Sequence, residues 1–301
     1  MRERAEWRAA LSVMAAIAGV GLSSGRELVL FFAQTKGAAW AGVLAACALF
    51  GVLTAFVAAR SDACRARGGL ERAAEALRLL FAALVSAFML TRLGEVGALT
   101  LPVRHGYLFG AGFGLLSALI IGWTGPGWPL GLVVTLGLSA FYIASALDGR
   151  PAKLYLRGET EFALAGSMAA ALSLSAAYAA MNAVAARWGL RGVRPGTVDP
   201  VALGIKAAAL MAAVLVPGCA ALMRAGDTVL IQRLPWVVLS ARWGIAGFWL
   251  CAGLSGLCAV ATLSAALGLL TDRLRTERRA LAVYMLTGGL AVFCILSFGR
   301  F

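Results

Sequence analysis

Long apolar stretches dominate the chain, and short segments rich in arginine, glycine and proline separate them. A bilayer core about 30 Å thick requires about 20 apolar residues in a helical span. An uncharged stretch at 106–147 is long enough for two spans, and a Gly-Pro-Gly turn divides it. We therefore predict an all-α membrane protein with nine spans in a single domain, 1–301. The predicted spans, numbered 1 to 9, are residues 9–33, 38–59, 72–101, 107–123, 128–147, 162–186, 201–223, 243–271 and 280–298.

The composition favours a membrane protein and argues against several other classes. Hydrophobic residues make up 61% of the chain and charged residues 14%, with a mean hydropathy of +0.86. A soluble domain contains about a quarter charged residues. The net charge of +13 does not indicate nucleic-acid binding, because the basic residues lie at the ends of spans rather than on one surface. Six cysteines and one histidine show no metal-ligand spacing, so we predict no metal, no cofactor and no enzymatic activity.

The distribution of arginine and lysine predicts how the chain crosses the membrane. Most basic residues outside the spans lie in segments that face the cytoplasm if the amino terminus is inside. We therefore expect a bacterial inner-membrane protein with a cytoplasmic amino terminus and an external carboxyl terminus. The first apolar stretch is too long and too interrupted by charge for a cleaved signal peptide, so we expect it to stay in the folded protein. The segment 224–242 contains apolar runs too short to span, and we predict an outer interfacial segment or lid there.

Span 1 contains the most informative polar residues of the chain. Its outer half includes three glycines and two serines within seven residues. They are Gly19, Gly21, Ser23, Ser24 and Gly25. Glycine destabilises a helix and serine competes for backbone hydrogen bonds, so this pattern predicts a broken helix whose free backbone groups bind a solute. Close packing against another helix explains the same glycines equally well, because small residues let helices touch.

Charged residues inside spans 1 and 3 form a second candidate cluster. Arg26 and Glu27 follow the glycines of span 1, while Arg92 and Glu95 lie three residues apart on one face of span 3. Charge inside a span is costly and normally faces a partner in the bundle interior. We predict the pairs Arg26–Glu95 and Glu27–Arg92, which line or cap a cavity. The alternative is a structural charge network without ligand contact.

Span 6 carries polar residues on one helical face. Ser175, Tyr178 and Asn182 follow the spacing i, i+3, i+7, which places them on the same side. Asn182 requires hydrogen-bond partners in lipid, so we predict that this face points into the bundle. Contact with a solute and hydrogen bonding between helices both account for it.

Spans 7 and 8 offer weaker signals. Thr262 and Ser264 in span 8 are hydroxyl residues that are able to coordinate sodium beside a broken helix. Small hydroxyl residues are also common in helix packing. Lys206 lies near the inner end of span 7, where extension of its side chain to the interface is favoured over a proton-relay role.

The segment from Ala18 to Phe32 resembles the first helix of the YkvI-type family of membrane transporters. That family has a Gly-x-Gly-Phe-Ala-Ser-Gly-(Gln/Arg)-Glu motif followed by an aromatic pair, and this chain has Gly-Val-Gly-Leu-Ser-Ser-Gly-Arg-Glu followed by Phe31 and Phe32. The likeness continues, more weakly, at 88–95, at 178–182 and at 234–236. It therefore extends in order over nearly the whole chain.

The resemblance implies a leucine-transporter-type fold of the amino acid–polyamine–organocation superfamily. In that fold two inverted five-helix repeats place a substrate between broken helices 1 and 6, which here correspond to 19–25 and 175–182. Two departures stand out. The family has a threonine pair in helix 8, whereas this chain has Thr262 and Ser264 separated by Leu263. The family also continues into a tenth helix, whereas this sequence stops after span 9, which gives a 5+4 arrangement.

These observations favour secondary active transport of a small polar or amino-acid-like solute by alternating access. The site would lie between spans 1 and 6, with spans 3 and 8 as its walls. Sodium and proton coupling both stay open, and the absence of a glycine-rich phosphate loop argues against ATP coupling. The alternative is a non-transporting membrane sensor or assembly protein built on a degenerate transporter fold.

Overall fold

A computed structural model describes most of the chain, and the described residues are helical with no strand among them. They are 2–22, 25–60, 69–101, 105–124, 127–148, 168–191, 193, 196–225 and 235–274. The helices are α1 (Arg2–Ile17), α2 (Arg26–Phe31), α3 (Ala39–Arg60), α4 (Gly69–Thr100), α5 (Gly106–Thr124), α6 (Trp128–Leu147), α7 (Met168–Gly189), α8 (Pro200–Ala225), α9 (Pro235–Ser240) and α10 (Gly244–Leu274). A π-helical segment follows α1 at Ala18–Leu22, and 3-10 turns lie at Ala33–Ala38 and Ala241–Trp243.

Six of these helical segments are long and apolar enough to cross a membrane, by length and composition. They are α3, the Ala76–Thr100 part of α4, α6, α7, α8 and the stretch Pro235–Leu269 that contains α10. The apolar part of α5, Gly106–Ile121, is shorter. The prediction of an all-α membrane protein is therefore confirmed. Span 1 corresponds to α1, the π-helical segment and α2, while span 9 lies outside the described residues, so the count of nine stays a prediction.

Helix α1 lies in the middle of the bundle and packs against α6, α7, α8 and α10. Around it, α3 packs against α7 and α8, and α4 packs against α5 and α10. Most of the α1 side chains from Ala9 onward are buried, whereas α3 exposes Leu44 and Val52 and α5 exposes Phe113. Large apolar side chains on the outer helices are expected where a protein faces lipid rather than water.

Glycines let several helix pairs approach until their backbones touch. Gly51 of α3 faces Gly204 of α8, and a Cβ atom added at Gly51 would lie 2.9 Å from the Gly204 carbonyl oxygen. Gly97 of α4 and Gly110 of α5 meet in the same way. Apolar side chains gain no hydrophobic free energy when they move from lipid into a helix interface. Close van der Waals contact is therefore a main force that holds such helices together.

An ion pair that the sequence did not reveal fixes the start of α1 to α8. The Lys206 amino group lies 2.6 Å from a Glu6 carboxylate oxygen, and both side chains are largely buried. Arg2 adds longer contacts of 3.6 Å to Glu6 and to Asp199, the residue before α8. The predicted extension of Lys206 to the interface stays a prediction, and its amino group bonds to a carboxylate 200 positions earlier in the chain.

We expect Gly204→Val to lower the melting temperature of the purified protein in nanodiscs by several degrees, because α3 and α8 must separate to accommodate the side chain. Gly112→Val is the matched control, since nothing lies within 4 Å of a Cβ atom added there. Equal melting temperatures for the two variants would contradict backbone contact between α3 and α8.

We expect Glu6→Gln to destabilise the protein at pH 7 and much less below about pH 4, judged by melting temperature. The Lys206 hydrogen bond holds the pKa of Glu6 below its usual value of 4.5. The stabilisation is therefore fully present above pH 4.5 and lost as the pH falls through the lowered pKa. Glu3→Gln, at an exposed position of the same helix, serves as control. A difference from wild type that is the same at pH 7 and below pH 4 would rule out this linkage.

Candidate functional site

Span 1 is interrupted at the position that its glycines and serines predict. The α-helix ends at Ile17, a π-helical segment covers Ala18–Leu22, and α2 begins at Arg26. Gly25, the residue before α2, has a φ of 69°, which side chains of L-residues rarely adopt. The predicted Gly19 and Gly21 lie in the π-helical segment. Ser23 and Ser24 lie outside the described residues.

The Thr262 hydroxyl of α10 bonds to the backbone of span 1 at this interruption. It accepts a hydrogen bond from the Gly19 N–H at 2.7 Å and donates one to the Ala15 carbonyl at 3.2 Å. In a regular α-helix these two backbone groups, four residues apart, would pair directly. A side chain that enters the ladder of helical hydrogen bonds is a recognised cause of a local distortion. Thr262 is fully buried, so the hydroxyl rather than bulk water provides these bonds.

Gly19 also makes close packing contacts, so both explanations of the glycine pattern apply to it. A Cβ atom added at Gly19 would lie 2.5 Å from the Met89 sulfur of α4 and 2.8 Å from the Thr262 oxygen of α10. Span 1 is therefore interrupted at a point where α4 and α10 are both in close contact with it. Irregular backbone at membrane depth is tolerated only beside protein or a water-filled cavity, and here protein surrounds it.

Tyr142 of α6 bonds to the end of the interruption and was not predicted from the sequence. Its fully buried hydroxyl donates to the Leu22 carbonyl at 3.2 Å. It also lies 3.5 Å from the point where a Cβ atom of Gly25 would stand, and Pro235 of α9 lies 3.3 Å from the same point. The signal available in the sequence was a single tyrosine in an otherwise apolar part of span 5. The described part of the predicted outer lid, α9, thus packs directly on Gly25.

Helix α7 is continuous over Met168–Gly189, so the break that the resemblance implies for span 6 does not occur in the described part of that span. The Ser175 hydroxyl donates to the Ala171 carbonyl at 2.5 Å, and the Asn182 amide donates to the Tyr178 carbonyl at 2.9 Å. Both side chains therefore bond to the backbone of their own helix. The stretch contains no proline and no glycine before Gly189, and its many alanines favour helix. This explains why α7 stays regular while span 1 does not.

The predicted face of α7 does point into the bundle. Ser175, Tyr178 and Asn182 are each fully buried. The Tyr178 ring packs on Phe31 and Phe32 at centroid distances of 5.2 Å and 5.1 Å. This contact brings the polar face of α7 against the end of α2.

Asn182 keeps an acceptor available within the protein. Its NH₂ group must face the Tyr178 carbonyl, because only the nitrogen donates, and this fixes the amide orientation. The opposite atom, the Oδ1 oxygen, is buried and has no hydrogen-bond partner among the described residues. Buried polar atoms of this kind are rare and call for an unseen partner.

Of the charged residues predicted to pair between spans 1 and 3, the two on span 3 form an ion pair with each other. Arg92 pairs with Glu95 on its own helix at 2.9 Å and stacks on Phe88 at 4.7 Å. The predicted pairs of these residues with Arg26 and Glu27 on span 1 stay predictions. Arg26 and Glu27 are half-buried.

Glu27 lies on the face of α2 that contacts α7. It is four residues before Phe31, so the two residues share one side of the helix, and the Phe31 ring packs on Tyr178. An ionisable group inside a span marks a functional-site hypothesis by default. Glu27 therefore belongs to the candidate site together with Tyr178.

The second hydroxyl of the predicted ion site does not point at span 1. Ser264 donates to the Ala261 carbonyl of its own helix at 2.8 Å. Thr262 and Ser264 therefore have different partners, and the structure does not bring them together around a common point. No group of three or more metal-ligating side chains occurs in the part of the chain that the structure describes.

Comparison with known proteins does not assign the chain to a family. No family model matches the chain, and no curated protein matches it. The resemblance to the YkvI-type family accordingly stays a prediction that rests on the motif at 19–27 and the aromatic pair Phe31 and Phe32. The interruption of span 1 and its contacts with α4, α6, α7 and α10 are therefore the main indication of function.

Proposed function

We propose that the protein is a secondary active transporter of a small polar solute, with its site beside the interruption of span 1. The observation that carries the proposal is the π-helical segment Ala18–Leu22 and the left-handed Gly25 in the interior of the bundle. Carriers use discontinuous helices because freed backbone groups and helix ends bind ions and polar solutes near the midplane. A purely structural span has no comparable reason to interrupt its backbone hydrogen bonds.

The pattern of helix contacts supports a repeat of the leucine-transporter type. If spans 1–4 and 6–9 are related, α3 corresponds to α8, α4 to α10 and α1 to α7. The contact between α3 and α7 then maps onto that between α8 and α1, and both contacts occur. The spans are expected to cross a bacterial inner membrane with the amino terminus inside.

The solute site that fits this geometry lies on the side of α2 and α7. Tyr178 packs on the Phe31 ring there, and the proposed site also includes the Asn182 oxygen and Glu27, which shares the Phe31 face of α2. The backbone of the interruption is already bonded to Thr262 and Tyr142. A solute that offers hydrogen-bond donors matches the acceptors of this region.

A non-transporting membrane protein is the second candidate, and one observation favours it. Thr262 and Tyr142 bond to the backbone of the interruption from inside the protein. A distortion with internal partners is able to persist without any ligand. In a transporter the interruption takes part in moving a solute across the membrane. In the non-transporting alternative it has only a structural role.

We expect the protein in proteoliposomes to take up a solute found by a thermal-shift screen, with saturation. We expect Gly25→Val to reduce the uptake rate at least about tenfold. Valine at a φ of 69° is strained, and its side chain would press on Pro235 and the Tyr142 hydroxyl.

Gly196→Val is the matched control for Gly25→Val. Gly196 has a φ of 74°, but nothing lies within 4 Å of its added Cβ atom, so the variant imposes backbone strain away from the site. Loss of uptake in Gly25→Val with retention in Gly196→Val supports the site. Binding of solutes without uptake by the wild type would favour the second candidate, and equal uptake by the two variants would contradict a site at Gly25.

A further inference from the structure

Thr262 differs from most buried serine and threonine residues in the direction of its hydrogen bonds. The hydroxyls of Ser86, Thr91, Ser175 and Ser264 each donate to a carbonyl three or four residues earlier on their own helix. This local bond is the usual solution for a hydroxyl in a span. The Thr262 hydroxyl instead donates to Ala15, 247 positions away in the chain.

The two partners of Thr262 are the Gly19 N–H, a donor, and the Ala15 carbonyl, an acceptor, which would bond to each other in a regular α-helix. A hydroxyl both donates and accepts, so one oxygen is able to bond to the Gly19 N–H and the Ala15 carbonyl at once. An apolar residue of the same shape has neither ability. The chemistry of this contact therefore requires serine or threonine, whereas packing alone would accept valine.

We propose that Thr262 is a positioning residue, and that its hydroxyl, inserted between the Ala15 carbonyl and the Gly19 N–H, holds span 1 in its interrupted form. The interruption is then imposed by α10 as well as by the glycines of span 1. Since the π-helical segment also packs against α10, a movement of α10 is transmitted to the backbone of span 1.

The burial of Thr262 means that neither bulk water nor another side chain takes the place of its hydroxyl. Thr262 has no exposed surface, and the adjacent Gly19 leaves no room for a side chain between α4 and α10. Without the hydroxyl, the Gly19 N–H and the Ala15 carbonyl lose the bonds that Thr262 makes to them. This loss changes the conformation of residues 15–22 or the protection of their amides from hydrogen exchange.

The same geometry bears on the coupling ion. The Thr262 hydroxyl donates its hydrogen to Ala15 and accepts from the Gly19 N–H with one lone pair, so a cation placed between these groups would displace those bonds. We therefore expect Thr262 to act through the backbone and not to be required for sodium binding. This consequence rests on the proposed transport function, whereas the positioning role does not.

The test compares Thr262→Val, which keeps the shape and removes the hydroxyl, with Thr262→Ser, which keeps the hydroxyl. Ser264→Ala is the matched control, because that hydroxyl bonds only to its own helix. Hydrogen exchange of the peptide that covers 15–22 is measured by mass spectrometry on full-length protein in nanodiscs. If Thr262→Val is not obtained folded, Thr262→Ala gives the same comparison without adding atoms.

We expect amide exchange of residues 15–22 to change about tenfold in Thr262→Val, the scale set by one buried hydrogen bond. It becomes faster if the groups stay unpaired and slower if they pair directly. Thr262→Ser and Ser264→Ala stay within about threefold of wild type. Exchange in Thr262→Val within that same range would overturn the proposal, as would a Thr262→Ser variant that behaves like Thr262→Val.

A second arm separates this proposal from the transport function. Melting temperature and uptake are measured in sodium chloride and in choline chloride, and we expect equal values for the wild type. Stabilisation by sodium that disappears in Thr262→Val would make Thr262 a cation ligand and overturn the positioning role, while it would leave transport intact. Absence of uptake alongside the expected exchange pattern would reject transport and retain the positioning role.

Discussion

Every backbone N–H and carbonyl inside a bilayer needs a partner within the protein, and this constraint connects the features of the fold. The other described spans satisfy it mainly with helical hydrogen bonds, apart from the donor that Pro217 lacks in α8, and span 1 departs further from that pattern. There, hydroxyls of two distant helices bond to the exposed backbone, Thr262 at the start of the interruption and Tyr142 at its end. The glycines of span 1 make the departure possible because they allow α4 and α10 to come close, and the hydroxyls make it stable.

The interruption divides span 1 into two halves that share partners but differ in their polar and aromatic contacts. Helix α1 is fixed at its start by the Glu6–Lys206 ion pair with α8 and at its end by Thr262 of α10. Helix α2 contacts α7 through its aromatic residues. Both halves pack against α7 and α8, so these two helices link them although the α-helix between them is interrupted. Under the proposed transport function, such a hinge is what alternating access requires of a helix beside its site.

Local sequence patterns predicted the helices and the interruption of span 1, which depend on neighbouring residues. They did not predict contacts between residues that are far apart in the chain. Apolar length predicted the helices that correspond to spans 2 to 8, and the cluster of small residues at 19–25 predicted the interruption, because both follow from the cost of exposing or distorting a helix in lipid. Tyr142 and the partner of Lys206 were missed, since their contacts lie 120 and 200 positions away. The break expected in span 6 came from the resemblance and does not occur over Met168–Gly189, where the alanine-rich sequence favours a regular helix.

The internal hydrogen bonds at the interruption also limit what a solute is able to contact. A solute that bound to Gly19 or Leu22 would have to replace the bonds to Thr262 and Tyr142, and the energy gained would be offset by the bonds lost. The Asn182 oxygen imposes no such cost, because no described residue donates to it. Binding there would satisfy a buried acceptor to which no residue in the described part of the chain donates. Under the proposed function, the interruption would therefore contribute to recognition less through its own backbone than by placing the Glu27 and Phe31 face of α2 against α7.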